Sequence, residues 1–306
     1  MYIVLDNRTD RMGANLTWYI MQFIHAHFNN CFVHCHELAF ENESFFIKSI
    51  REFAEVYNKK LTEKIGTDDH GPILYWMRQN AQDWPGNCMF VCKEVQCDLI
   101  SYFKQHLYQD LREILDKNAS IYMNPLFQLP NPTRKKIGLH LRLDDVITRT
   151  DYDGSYCTEY YREKLNNGNI DIDLKEEHEF GKTKNIYIPS WGRSYNPYDC
   201  QAPIDESRLE PIISQVREKY PDHEVVIVAS PYGTINLPYP CIRSKNMDQD
   251  LYYLCNCDVI ICSRSLYCFA SVYLGNAKEV YIPMWGHIAG TGLTSKYDRN
   301  TNLVYW

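Results

Sequence analysis

No apolar run in the sequence approaches the roughly 18 residues that a bilayer-spanning helix needs. The longest, "VVIVAS" and "DVIICS", are short and interrupted, so a membrane span is not expected. The opening "MYIVLDNRTD" lacks the charged, apolar, small-residue order of a secretory signal, and the expected location is the cytoplasm. Excess positive charge is also missing. A formal net charge of -7 excludes, in bulk, a nucleic-acid binder that works by neutralising phosphates, while leaving room for a local basic pocket. No G-x-G-x-x-G follows the first strand-like run, where the chain reads "DNRTDRMGAN". That removes a dinucleotide-dependent oxidoreductase. There is no internal repeat.

Paired C-x-x-C knuckles are absent too, although the chain has 12 cysteines. Cys31/Cys35 and Cys88/Cys92/Cys97 lack the spacing of structural zinc sites. His34, Cys35, His36 and Glu37 crowd together in "HCHE", but without a second pair. Over this length the cysteines are too sparse for a stapled fold. Cys31, Cys88 and Cys262 fall in strand-like runs and Cys255 and Cys268 in helix-like ones, where Cys packs as a small hydrophobe. Reduced thiols are expected.

What is present is a chain of 306 residues, 45% hydrophobic and 23% charged, the balance of a soluble globular protein long enough for two domains. Short apolar runs alternate with amphipathic stretches, which predicts an α/β protein with parallel sheets. Strands are expected at 2–5, 31–36, 137–142, 185–188, 224–229, 258–262 and 279–282. Helices are expected at 13–28, 44–61, 73–82, 97–117, 156–165, 206–219, 248–256 and 265–274. The proline-bearing "NPLFQLPNPTRKK" (124–136) reads as a linker. It divides the chain into residues 1–130 and 131–306, and residues 166–183 read as a polar, acidic excursion.

Ligands of open α/β sheets sit beyond the carboxyl ends of the strands, and three segments fall there. In "DNRTDRMGANLTWY" (6–19) a polar loop with Gly13 leads into a helix starting near Asn15; helix-start amides attract anions, and glycine permits close approach. In "KKIGLHLRLDDV" (135–146), His140 and Arg142 share a strand face that then meets Asp144 and Asp145. An Arg fork matches phosphate oxygens bidentately; the alternative is an Arg–Asp pair that closes the strand end. In "DQDLYYLCNCDVIICSRSLYCFASVYLG" (248–275) a Ser263-Arg264-Ser265 turn opens a helix rich in small residues. Its hydroxyls and free amides make a second anion cradle, or a plain N-cap.

In this order the three segments resemble the fucosyltransferase superfamily of GT-B glycosyltransferases, which includes α-1,2-, α-1,6- and protein O-fucosyltransferases. "RMGANLTWYIMQF" is similar to its Gly-Asn loop, "HLRLDD" to its His-x-Arg strand end with a following acid, and the third segment to its Cys-Asp-x-x-Ile strand and Ser-x-Ser turn. The resemblance implies two Rossmann-like α/β domains facing each other across a cleft, residues 1–130 holding the acceptor and 131–306 the nucleotide sugar. It implies inverting transfer to a glycan or protein hydroxyl without an essential metal or other cofactor. By carry-over Arg142 binds the β-phosphate, supported by His140, with Gly13 and Asn15 lining the donor site. Ser263 and Ser265 meet phosphate oxygens, Arg264 joins them in the donor site, Asp248 or Asp250 holds ribose or base, and Asp145 is the acid nearest the reaction. An enzyme of this kind is expected in a bacterial cytoplasm, or in the host's where a virus encodes it.

A departing diphosphate gathers charge that fixed cations and amides stabilise, and an acceptor hydroxyl needs a carboxylate base; Asp6, Asp10, Glu37 and Asp145 are candidates. The chain departs from the family pattern at Leu143, where a second arginine is usual, and at Pro231 and Tyr232, where an acidic pair is usual. Both leave the donor open between GDP-fucose and a UDP-sugar such as a UDP-linked pentose. A GT-A enzyme would use Asp-x-Asp, but "DYD" (151–153) and "DID" (171–173) lie in polar stretches. A non-catalytic carbohydrate binder would use some of the 24 tyrosines and 6 tryptophans for stacking.

Overall fold

Two parallel sheets organise the chain, one in each half. The structure, a computed structural model, describes residues 2–5, 11–66, 73–74, 95, 99–123, 135–143, 203–283 and 302–306. In the first half, Tyr2–Leu5 (β1) lies between Phe32–Cys35 (β2) and Ile73–Leu74 (β3), all parallel. Met12–Phe28 (α1) is buried at every position from Met12 to Ala26, as expected of a helix apolar on all sides. Phe45–Ile65 (α2) is amphipathic; the Ser44 hydroxyl caps its start and Gly66, at φ 73°, ends it in the left-handed region that glycine tolerates. Leu99–His106 (α3) and Tyr108–Tyr122 (α4) follow.

The second half contributes Lys136–Leu141 (β4), Glu206–Lys219 (α5), Glu224–Ala229 (β5), Cys241–Ile242 (β6), Met247–Cys255 (α6), Val259–Ile261 (β7), Leu266–Leu274 (α7), Glu279–Ile282 (β8) and Asn302–Tyr305 (β9). The six strands are parallel in the order β6-β5-β4-β7-β8-β9. Counted within this sheet, that is 3-2-1-4-5-6, the doubly wound order whose direction of winding reverses between β4 and β7.

Strand alternation sorts the side chains into two layers. Ile137, Leu139, Leu141, Val225, Ile227, Val259, Ile261 and Tyr281 pack against Leu209, Ile213 and Val216 of α5. On the opposite face Val226, Val228, Ile260, Cys262, Val280 and Ile282 pack toward α6 and α7. Gly138 matters on this side: a Cβ there would come within 2.8 Å of Cys257 Sγ and 3.1 Å of Leu254 Cδ2. The cluster does not stop at α7. It continues through α1, which packs directly on α7, to Phe23, Phe53 and Phe103 of the first half. At about 1.5–3 kcal/mol per large buried side chain, this shared layer is a main source of cohesion between the halves.

Polar contacts cross the same seam. Arg112 on α4 donates to the Leu274 carbonyl at 3.2 Å and to Asn256 Oδ1 at 2.7 Å, and Lys104 on α3 donates to the Gly275 carbonyl. Arg112 thus places a cation at the carbonyl end of α7, where the helix dipole favours positive charge, while burial brings Lys104 down to about 7.

The expected α/β class with parallel sheets is what the structure has. Helices 206–219 and strands 224–229 and 279–282 fall where the pattern put them. Three readings need correction. Ile73–Leu74 is a strand pairing with Tyr2 and Ile3, not the start of a helix. A two-residue strand has no periodicity to read, and positions 75–82 lie outside the described residues. The helix expected over 97–117 is two, because Leu107 leaves the helical well at φ -129°. The strands β6 and β9 were not expected. Helix 156–165, strand 185–188, the excursion at 166–183 and most of the 124–136 linker lie outside the described residues.

Candidate functional site

The reversal point between β4 and β7 is where an open sheet of this order leaves a crevice, and a hydrogen bond spans it. His140, next to last in β4, and Ser263, just past β7, share a contact of 2.6 Å between Nδ1 and Oγ. Both are buried, at 7% and 5% exposure. The His140 ring stacks on Tyr267 with centroids 5.3 Å apart and planes at 29°. The Tyr267 hydroxyl in turn donates to the Met247 carbonyl at the start of α6. One aromatic ring therefore ties β4, α6 and the mouth of α7 together.

The turn from Ser263 to Ser265 is built by its own backbone. Ser265 N donates to the Ser263 carbonyl at 2.8 Å, and Cys268 N donates to the Ser265 carbonyl at 3.2 Å. Ser265 is the N-cap of α7, its hydroxyl accepting from Tyr267 N at 3.3 Å. The two serines thus have different tasks, one capping and one bonded to His140. Each hydroxyl retains hydrogen-bonding capacity beyond that task. Arg264 between them is buried at 2% exposure. Arg142, half-buried, lies just beyond β4 at the same rim.

Gly13 and Asn15 sit differently from their expected place in a ligand loop. The helix already begins at Met12, so both lie in its first turn. Asn15 is fully buried, with its amide donating to the Arg11 carbonyl at 3.2 Å. A Cβ on Gly13 would stand 2.3 Å from Tyr267 Cα and 2.5 Å from Tyr267 N. What approaches this glycine closely is the backbone of α7, so the N-termini of α1 and α7 meet beside His140.

The two acids of α6 have separate surroundings. Asp248 accepts from the Ser44 hydroxyl at 2.7 Å and from Phe45 N, so its carboxylate sits on the N-terminus of α2, where the dipole favours an anion. Burial raises its pKa against these bonds and the nearby Lys48 charge. Asp250 is 7% exposed, and its Oδ1 finds no hydrogen-bond partner among the described residues. Burial pushes it up to about 7 against opposing bonds from Ser244. A buried carboxyl with an open oxygen beside Tyr267 is the feature of α6 most suited to receiving a ligand hydroxyl or amine.

Two groups at the site were given no functional role by the sequence reading. Cys262 and Cys268 bracket the turn, both fully buried, with their sulfurs 2.9 Å apart. Burial raises both thiols; the contact between them splits the pair, and the His140 ring favours a Cys268 thiolate, bringing it down to about 6 while Cys262 stays well above its usual range. Tyr267, the hub, also went unremarked. Nothing in a C-x5-C spacing or in a single tyrosine signals either role.

Asp145, Asp144, Asp6 and Asp10 lie outside the described residues; Glu37 lies exposed two positions past β2. Among the described residues no group of three or more His, Cys, Asp or Glu side chains is arranged to hold a metal ion, and no helix is long and apolar enough to cross a membrane. Comparison of the chain with models of protein families, with curated proteins and with solved structures gave no match.

Proposed function

We propose that the protein is an inverting glycosyltransferase of the fucosyltransferase-like GT-B type, taking a nucleotide-diphosphate sugar at the crevice between β4 and β7. The observation that carries this reading is the His140–Ser263 hydrogen bond at 2.6 Å. It joins two of the motifs at the one point of a doubly wound sheet where nucleotides bind. A parallel sheet in each half supports a two-lobed arrangement, with the acceptor on the side of residues 1–130.

In this reading Arg142 and the amides at the mouth of α7 meet the diphosphate. Ser263, Ser265 and Arg264 supply further donors, with His140 fixing Ser263. The acceptor oxygen attacks the anomeric carbon as the bond from that carbon to the phosphate oxygen breaks on the opposite face, inverting the centre. Charge collects on the departing diphosphate, where fixed cationic and amide donors lower the barrier. Asp145 takes the acceptor proton. Asp250 receives a polar group of the nucleoside, whereas Asp248 is engaged in capping α2. The sugar is fucose on GDP by resemblance, or a UDP-linked pentose given Leu143, Pro231 and Tyr232.

Thermal unfolding with GDP and with UDP tests the reading. A nucleotide that binds the folded chain raises Tm through linkage, by about 2.7 kcal/mol of stability at a concentration a hundred times Kd. A panel of nucleotide sugars then identifies the donor by hydrolysis or transfer. The reading fails if neither nucleotide moves Tm at millimolar concentration, and a response to saccharides alone would favour a carbohydrate-binding protein instead.

A further inference from the structure

The turn that the proposed function assigns to phosphate is enclosed by two sulfurs which that function does not use. Cys262 ends the central part of the sheet and Cys268 lies in the first turn of α7, with Ser263, Arg264 and Ser265 between them. Their Sγ atoms are 2.9 Å apart, within about 1 Å of the length of a disulfide bond. We propose that Cys262 and Cys268 form a thiol–disulfide couple, a modification site at which a small peroxide closes a covalent ring around the Ser263–Arg264–Ser265 turn.

Several features make this pair, rather than Cys255 or Cys257 beside it, the reactive one. The thiolate is the attacking species in such chemistry. The His140 ring beside Cys268 supports that form, and the Cys262 sulfur lies against it at 2.9 Å. Cys255 and Cys257, also buried nearby, are pushed the other way by burial, Cys255 to about 12. Cys257 donates to the Tyr253 carbonyl at 3.4 Å rather than to a second sulfur. The resolving group is therefore already in place for Cys268 and for neither of these.

The step balances with hydrogen peroxide as oxidant. The Cys268 thiolate attacks one peroxide oxygen, the O–O bond breaks, and the departing hydroxide takes up the proton that the Cys268 thiol had given up, leaving as water. The sulfenic acid on Cys268 is then displaced by Cys262 sulfur; the S–S bond forms, and the second hydroxide leaves with the Cys262 proton as water. Two thiols give up two electrons and one peroxide becomes two water molecules. Peroxide is small enough to reach a buried pair by local opening of the turn. The couple stands whether or not the turn holds a diphosphate.

Peptide mapping of the intact folded chain tests this. The protein is treated with hydrogen peroxide at neutral pH, remaining thiols are alkylated in denaturant, and the chain is digested with trypsin without reduction. Cleavage after Lys245, Arg264 and Lys278 puts the two cysteines on separate peptides, 246–264 and 265–278. The expected product is these two peptides joined through Cys262 and Cys268, lighter than their sum by two hydrogens, released by dithiothreitol and absent from Cys268→Ser. Recovery of both thiols alkylated overturns the proposal. So does a link running through Cys255 or Cys257, or one that forms only when the chain is oxidised in urea. None of these outcomes depends on nucleotide binding, so failure here leaves the glycosyltransferase reading to its own test.

Discussion

The Ser44 hydroxyl donates to the Asp248 carboxylate at 2.7 Å, although 204 positions of chain separate the two. The same carboxylate receives Phe45 N, so a helix of the second half closes the open end of a helix from the first. Asp248→Ala is expected to cost about 2–3 kcal/mol, because it strands two buried donors. Ser44→Ala should cost about 1 kcal/mol as a lost N-cap. In a double-mutant cycle by urea unfolding the two should couple by at least about 0.5 kcal/mol; strict additivity would show that the contact contributes nothing.

Asp250 should make stability fall as pH rises from acid to neutral. A carboxyl whose pKa climbs on folding from the ordinary 3.8 to about 7 is favoured in its protonated form. Its contribution is complete below about 3.8 and is lost as pH rises through about 7, a span on the order of 4 kcal/mol. Chemical denaturation at intervals from pH 4 to 8 should show this decline, and Asp250→Asn should flatten it. An unchanged slope in the variant would mean the carboxyl is ionised throughout.

Gly13→Ala separates two opposed effects. Alanine favours a helix over glycine by about 0.5–1 kcal/mol, so an unobstructed helix would gain stability. Here the added Cβ would meet Tyr267 Cα at 2.3 Å, backbone that no rotamer change moves aside. A net loss of about 1–3 kcal/mol is expected from overpacking. A gain in Tm would show that α1 and α7 do not approach this closely.

On the proposed function, Arg142→Ala should reduce sugar transfer by a factor of roughly 10² to 10³ while the unfolding transition stays cooperative, since Arg142 is only half-buried. Ser265→Ala should weaken donor binding more than acceptor binding and also lower stability by about 1 kcal/mol, because its hydroxyl caps α7. Wild-type turnover in Arg142→Ala would remove the diphosphate role from that side chain.

The sheet was legible where burial writes it into the alternation of side chains. Strands 224–229 and 279–282 and helix 206–219 carry clear apolar periods and caps, and their bounds follow directly. Short edge pairings such as Ile73–Leu74 and Cys241–Ile242 have no room for a period and could be found only with their partners in view. At the site, His140, Arg142, Ser263 and Ser265 announced themselves as polar residues at strand ends. Asp248 drew notice only through the family resemblance, yet its partner is an N-terminus about two hundred residues away. Gly13 read as making room for a ligand because sequence cannot say which neighbour needs the space. The sulfur contact of Cys262 and Cys268 depends on how a turn folds back, which spacing alone does not encode.

The apolar layer that runs from β5 and β7 through α7 into α1 and α2 has a consequence for how such a chain can be handled. Separating the halves would uncover Phe103 and Tyr273, whose rings meet edge-on across the seam with centroids 6.1 Å apart and which are both within 2% exposure. Each half therefore relies on the other for part of its apolar cover.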